Sequence, residues 1–370
     1  MGDKRRQKMN LKHLRKIKKQ YLLKKKLKKN REWLFREENS LMAIIDPPKL
    51  TDDELEQIFN IWGTAGMTTA LTNEYRIFKK ISGFDPNYVP SIFYFPLLIR
   101  SLNPTANYSI YENKGLYDLL FKGLKKPKTI VKNIEGNFFE GNSTHISKEE
   151  ALKIIKKNNE ILIKPIVDTF GGKGVKRYIK KQLSEHNLNQ ILSTYSKNYI
   201  VQEVIEQHKN INIFNPSSLN TFRVTSLFLN GRTSVLFTML RIGSPGQVVD
   251  NSSAGGLRIE INSEGLLAKE AFDKKLKKYN TALNGVPFAG KKILHFEKLK
   301  KLVLEHHSRY FPTCSLIGWD LAIDKLGDVI FIEANTRMPG IRMGQICCGP
   351  LFGERTKEVI DYYQNHPPLL

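Results

Sequence analysis

The sequence predicts an α+β fold built on antiparallel sheets, and three observations carry that expectation. From about residue 160 onward, short apolar runs suited to strands outnumber helical patterns. Two pairs of these runs are joined by turn signals, Asn230-Gly231 and the stretch Asp324 to Gly327, which mark hairpins. Helices are interspersed without the one-for-one alternation of a parallel sheet. Strands are expected at 161–167, 175–179, 199–205, 220–229, 233–242, 256–262, 316–324 and 328–334, with helices near 181–195, 296–309 and 353–364. Upstream, Thr51-Asp52-Asp53-Glu54 and Ser147-Lys148-Glu149-Glu150 are capping boxes that open helices. Gly63, Gly66 and the proline-containing stretch 86–104 break the segment after the first box into small helical pieces.

A chain of 370 residues with 41% hydrophobic content is long enough for two domains and a sizeable core. No apolar stretch approaches the roughly 20 residues needed to cross a bilayer, and the amino terminus is too basic and too broken for a signal peptide. Cys314 stands alone and Cys347 and Cys348 are adjacent, which gives neither a disulfide framework nor a C-x-x-C zinc pattern. A reducing, cytoplasmic setting is expected. The net charge of +23 is uneven, because residues 1–31 hold fifteen lysines and arginines against the single acid Asp3. Within that arm Leu11, Leu14, Ile17, Tyr21 and Leu22 recur at helical spacing, so the basic residues surround a narrow apolar stripe. Three readings stand: a solvated arm, a helix on an anionic membrane face, and a nucleic-acid arm. Near an anionic leaflet each basic residue is worth roughly 1 kcal/mol, and apolar side chains insert beside them. This favours membrane over nucleic acid, since no aromatic-and-basic recognition motif accompanies the charge.

Three constellations carry chemistry. In the second hairpin, a turn centred between Leu326 and Gly327 sets Asp320 opposite Glu333, with Asn335 two residues on along the same face. Opposed acids are unfavourable unless neutralised, and Mg²⁺, a hard oxygen-seeking ion that also carries nucleotide phosphates, would do so. A solvated polar face is the plain alternative. The second constellation is Thr169-Phe170-Gly171-Gly172-Lys173-Gly174-Val175, after the strand holding Lys164. Close-set glycines let backbone N–H groups approach phosphate, and a lysine in mid-strand needs an anionic partner, although a plain glycine turn also fits. Third, Arg223 and Arg241 flank the Asn230-Gly231 hairpin. A three-residue turn, Asn230-Gly231-Arg232, puts both on one face, where an anion between them would relieve their repulsion. Surface arginines on an exposed sheet are the alternative.

The order of these pieces, namely Lys164, the glycine loop, Gln202-Glu203-Val204-Ile205, Arg223, Arg241 with Asn251 and Gly255-Gly256, then Asp320, Glu333 and Asn335, resembles the ATP-grasp superfamily. Ile317-Gly318-Trp319-Asp320, the stretch from Glu333 to Pro339-Gly340, and Gly349-Pro350-Leu351-Phe352-Gly353-Glu354-Arg355 resemble its sugar-transfer-associated, α-L-glutamate-ligase-like branch over roughly residues 110–365. The resemblance implies two α+β subdomains with antiparallel sheets clasping ATP, after a helical amino-terminal region. The division expected is a basic arm at 1–40, a mainly helical region at 41–110, and an ATP-grasp domain at 111–370, with a lid subdomain at about 126–200 and a carboxy-terminal subdomain at about 201–365.

It further implies that Lys164 binds the α- and β-phosphates and that Gly171, Gly172, Lys173 and Gly174 close over the β- and γ-phosphates. Gln202, Glu203, Val204 and Ile205 resemble the adenine hinge, and Lys114 a second phosphate lysine, with Asn113 where relatives often carry an acid. Arg241 and Asn251 look like the ligase-branch signature at the γ-phosphate, and Arg337 and Arg342 are candidates for an acidic acceptor. ATP and Mg²⁺ are the implied cofactors, with Mn²⁺ as the alternative metal. The implied reaction is carboxylate–amine ligation through an acyl phosphate, on a sugar acid or glycan-linked carboxylate of polysaccharide biosynthesis. The rivals are a phosphotransferase acting on a sugar hydroxyl and a non-catalytic nucleotide- or glycan-binding scaffold.

Overall fold

A computed structural model describes residues 31–104, 108–141, 143–167, 172–247 and 255–368. The sequence reading's basic arm up to residue 30, Gly171 and Asn251 lie outside the described residues. The described chain forms two units, one of residues up to Leu102 together with those from Pro350 onward, the other Asn103–Gly349. The carboxy-terminal helix thus groups with the amino-terminal helices.

The first unit is helical. Thr51 caps Asp52–Trp62 by accepting the Glu54 amide, while the Glu54 carboxylate takes the Thr51 amide. Trp62, Tyr75, Phe78 and Phe93 are fully buried there. Phe93 meets Tyr363 of the terminal helix Thr356–Asn365 edge to face at 5.9 Å, and the Ser101 hydroxyl donates to the His366 carbonyl.

The second unit holds two antiparallel sheets. The first contains β1 (Thr129–Ile134), β2 (Asn137–Glu140), β3 (His145–Ile146), β4 (Glu160–Pro165), β5 (Lys176–Ile179) and β6 (Tyr199–Gln202), in the order β3-β2-β1-β6-β4-β5. Its apolar face packs under helices Lys148–Lys156 and Glu185–Tyr195, burying Val131, Ile155, Ile161, Ile163, Leu188 and Val201. The second contains β7 (Thr221–Leu229), β8 (Arg232–Ile242), β9 (Leu257–Glu260), β10 (Ala271–Phe272), β11 (Lys278–Tyr279), β12 (Leu316–Ile323) and β13 (Val329–Asn335), in the order β11-β10-β9-β8-β7-β12-β13. Helix Phe296–Tyr310 covers one face of it through Leu299, Val303 and His307.

The α+β class and both hairpins are as expected, but the turn arithmetic is not. Leu229 pairs with Arg232, so the first hairpin turns on two residues, Asn230 and Gly231, both at positive φ (50° and 73°). That is the conformation an Asn-Gly turn favours, since it matches strand twist. A bulge then skips Leu236 between the pairs Ser226–Val235 and Thr225–Phe237, and this restores the one-residue offset that the expected three-residue turn had supplied. Arg241 therefore stands opposite Thr221 and shares a face with Arg223. The second hairpin repeats the pattern. Ile323 pairs with Val329, which centres the turn on Leu326, and a bulge skipping Ile332 brings Asp320 opposite Glu333. Strands β1–β3, β10 and β11 had no counterpart in the sequence reading.

Candidate functional site

Strand β12 carries the centre of the site. Its neighbours are β7, which sets Arg223 beside Asp320, and β13, which sets Glu333 beside Asp320 from the other side. Trp319 and Leu321, the apolar residues flanking Asp320, bury into the core beneath helix Phe296–Tyr310 and so turn the carboxylate to the opposite face. Trp319 is fixed by a buried relay in which its indole N–H donates 2.8 Å to Ser226 Oγ, itself 2.8 Å from His307 Nδ1, with His307 Nε2 at 2.9 Å from the Cys314 carbonyl. Burial pushes the His307 imidazole down to about 4, which keeps it neutral and able to serve both partners.

Asp320 is buried, 4% exposed as a residue. Arg223 grips it with two nitrogens, Nε at 2.7 Å and Nη2 at 3.2 Å, and Arg241 Nη1 donates at 2.8 Å. Asn335 Nδ2 lies 3.4 Å from Asp320 Oδ2 and 3.1 Å from the Gly318 carbonyl. Burial by itself raises the carboxyl, and the charges and hydrogen bonds of the two arginines outweigh it, holding Asp320 well below the usual carboxylate range. One strand over, Glu333 pairs with the Lys114 ammonium at 2.8 Å.

Lys164, near the end of β4, is 7% exposed. Burial, and then the charge of Lys114, push its amine down to about 8, partly opposed by Glu333, so these three groups lie close together. Lys164 also lines a cavity of about 330 Å³ with Leu162, Gln202, Glu203, Val204, Ile205 and Ile332. The bulge that aligns Asp320 with Glu333 is the same irregularity that leaves Ile332 to line this cavity. The Gln202 Oε1 is buried without a partner among the described residues, an open acceptor in the cavity wall. Glu203 is committed elsewhere, its amide to the Lys128 carbonyl at 3.0 Å and its carboxylate to the Lys128 amide at 2.9 Å.

Gly172 and Gly174 adopt left-handed φ (72° and 79°) and close a tight turn, and a Cβ on Gly174 would press on the Pro165 ring at 3.0 Å. Lys173 is exposed between them. Arg337 lies beyond the hairpin, its guanidinium 5.7 Å from the Tyr108 ring and its amide 2.7 Å from Glu112 Oε1. The structure therefore gathers Lys114, Lys164, Arg223, Arg241, Asp320, Glu333 and Asn335, with the Gln202–Ile205 segment on the adjoining cavity, and leaves Lys173 facing outward.

Sequence reasoning missed four contributors. Asn103 staples the hairpin's two ends, accepting the Leu316 amide at 2.9 Å and donating to the carbonyls of Leu316 and Thr336. Lys132 is buried on β1 and, like Lys164, stands opposite Ile200, but its ammonium is tied to Ser143 Oγ at 2.8 Å. Glu112 and Ile332 are the other two. Only Glu112 had a signal, as an acid two residues from Lys114.

Magnesium is ordinarily held by one or two carboxylates together with phosphate oxygens and water. The donor set of Asp320, Glu333 and Asn335 fits that mode. No cluster of three or more His, Cys, Asp or Glu side chains suited to a metal occurs among the described residues, so a site formed by protein alone is not offered there. A buried lysine whose amine is desolvated, beside a cavity that pairs Leu162, Val204, Ile205 and Ile332 with an open acceptor, likewise fits a phosphate-bearing base.

Residues 97–360 match the sequence model of a family described as sugar-transfer associated ATP-grasp. Among solved structures, the chain is similar to the D-alanine–D-alanine ligase from Coxiella burnetii, with 10% identity and a TM-score of 0.39 over 70% of this chain and 59% of that one. It is also similar to the VanG D-Ala:D-Ser ligase from Enterococcus faecalis, with 15% identity and a TM-score of 0.38 over 69% and 61%. The L-amino acid ligase from Bacillus licheniformis gives 14% and 0.40 over 70% and 48%. This chain thus spans less than two thirds of each of those ligases. No curated protein matches it.

Proposed function

This chain belongs to the sugar-transfer associated ATP-grasp family, and we propose on that premise that it uses Mg-ATP to join a carboxylate to an amine. The observation that carries the reading is the interleaving of acids and cations, Lys114 with Glu333 and Arg223 and Arg241 with Asp320, beside a cavity that shares Lys164. Each pair is a stand-in for a ligand: the acids take a metal and the released cations take phosphate oxygens.

In this reading Asp320, Glu333 and Asn335 hold the magnesium, which compensates charge on the phosphate oxygens. Ile332, Leu162 and the 202–205 backbone enclose the base, with Gln202 Oε1 as acceptor for an exocyclic amine. Lys164 and Lys114 bind phosphate, and Gly171 to Gly174 are assigned to the β- and γ-phosphates as the resemblance implies. An acceptor carboxylate oxygen bonds to the γ-phosphorus as the bond to the ADP oxygen breaks, and Arg223 and Arg241 stabilise the charge in transit. An amine then bonds to the acyl carbon, orthophosphate leaves, and the amine loses a proton to give the amide. Asn251 and Arg241 are assigned to the γ-phosphate as the resemblance implies, and Arg337 to the acceptor. Mn²⁺ substitutes in the same donor set. The family's association with sugar transfer points to a sugar acid or glycan-linked carboxylate of polysaccharide biosynthesis as the acceptor.

The test is incubation with Mg-ATP, hydroxylamine and a panel of hexuronic and amino acids. ADP release with a trapped hydroxamate is expected, and it should be lost in Glu333→Gln. A stable phosphorylated sugar without hydroxamate overturns ligation in favour of phosphotransfer, and no binding of Mg-ATP overturns catalysis.

No helix among the described residues is long and apolar enough to cross a membrane. We assign the basic residues 1–32 to peripheral contact with an anionic membrane, supported by their charge and by Trp33, 49% exposed where the described chain begins. Sedimentation with anionic liposomes is expected to fall several-fold on deleting residues 1–32, and equal sedimentation of both forms overturns the assignment.

A further inference from the structure

Glu112 is a carboxylate that the proposed chemistry does not use. Burial raises its pKa, opposed by amide hydrogen bonds from Arg337 and Thr336 and by the Arg337 and Lys114 charges, so its position carries a desolvation cost. Its Oε1 accepts the Arg337 amide at 2.7 Å, directly where the chain leaves β13. The residues around it make the same connection twice more. Tyr108 lies beneath the Arg337 guanidinium at 5.7 Å, and Lys114 reaches Glu333 at 2.8 Å. From its other side the segment is tied to the first sheet, because the Lys114 amide donates to the Ile166 carbonyl at 2.9 Å, two residues past Lys164. Asn113 Oδ1 accepts the Gly115 amide at 3.0 Å and fixes the local turn. One short segment therefore fastens the end of the metal hairpin to the end of the strand that carries Lys164.

We propose that Glu112 is a positioning residue: by accepting the Arg337 amide it locks the loop leaving β13 and sets the acceptor arginine in register with the phosphate lysines. The role needs an acceptor oxygen, not a charge. A glutamine at this position retains that oxygen and an alanine does not.

In the ligand-free full chain, Glu112→Ala is expected to raise amide hydrogen exchange across residues 336–338 about tenfold and to expose the bond after Arg337 to trypsin, while Glu112→Gln stays within about twofold of the parent. Affinity for Mg-AMP-PNP by calorimetry follows the same order, about tenfold weaker for alanine and nearly unchanged for glutamine. Exchange unchanged in Glu112→Ala, or raised equally in Glu112→Gln, overturns the proposal. Should Glu112→Ala fail to fold, the exchange of Glu112→Gln decides alone by the same criterion. The nucleotide arm rests on the ATP-binding reading, whereas the exchange arm does not, so failure of the parent chain to bind Mg-AMP-PNP sinks that reading and leaves Glu112 decided by exchange.

Discussion

Asp320→Asn is expected to lower the free energy of unfolding by about 3 to 5 kcal/mol in the absence of any ligand, the largest stability effect of any single change at the site. The reason is the geometry of the cluster. Arg223 and Arg241 both end on the carboxylate of this one residue, which is 4% exposed. Removing the charge leaves two guanidinium groups facing each other in a desolvated place, which costs more than the original pair contributed. Urea denaturation at pH 7 checks the value. The pH dependence has a definite sign. Asp320 is held below its unfolded value, so its contribution is fully present above about pH 4 and is lost as pH falls through the folded pKa. The acid limb of the stability profile should therefore be shallower in Asp320→Asn. Adding Arg223→Met to the variant should recover a large part of the loss, because the cost lies in burying cations that have lost the shared carboxylate. A shift below 1 kcal/mol for the single variant would show that solvent reaches the cluster and that the ion pairs carry little.

How far this site could be read in advance is clearest at the two hairpins. The side-chain period of two along a strand makes any argument about which residues share a face an argument about parity, so a single inserted residue inverts it. Both expected pairings, Asp320 with Glu333 and Arg223 with Arg241 on one face, occur, yet each turn differs by one residue from the one that led to them. In each case a bulge supplies the compensating residue, Ile332 in β13 and Leu236 in β8. Asn-Gly announces a two-residue turn because both residues tolerate positive φ, whereas a bulge at an aliphatic position leaves no compositional trace. Lys164 was legible because a charge in an apolar strand is a local signal, whereas Gln202–Ile205 came only from the order of motifs in the family resemblance. Asn103 and Lys132 were not legible, since their meaning lies in partners such as Leu316 and Ser143 that are distant in sequence or silent in pattern, and for Glu112 the nearby Lys114 signalled an acid but not its partner Arg337. The short strands β1–β3 were missed for a related reason. Two of them are only two to four residues long and carry exposed edges, so neither length nor alternation marks them.

Lys164→Met should separate stability from function in opposite directions. In the ligand-free chain the buried amine, depressed to about 8 from the model-peptide value near 10.5, costs about 3 kcal/mol below pH 8. The sign follows from proton counts: between pH 8 and 10.5 the unfolded chain binds the proton that the folded chain has lost, so stability rises with pH across that window. Methionine fills the same volume without the charge. The variant should be more stable at pH 7 by about 2 to 3 kcal/mol, and its rise in stability above pH 8 should vanish, both measurable by thermal or urea unfolding. Nucleotide binding should move the other way. A phosphate group beside Lys164 restores the charged amine, so Mg-ATP should bind with proton uptake at pH 8 to 9 and bind less tightly as pH climbs past 8. Calorimetry in two buffers of different ionisation enthalpy reads the proton directly. In Lys164→Met the uptake should disappear and affinity should fall by about 30- to 100-fold, the worth of a charge-assisted phosphate contact. A variant that is both stabilised and unimpaired in Mg-ATP binding would place the phosphates elsewhere. One that is destabilised would mean that Lys164 has an anionic partner in the ligand-free protein, and that the interleaved acids already neutralise it.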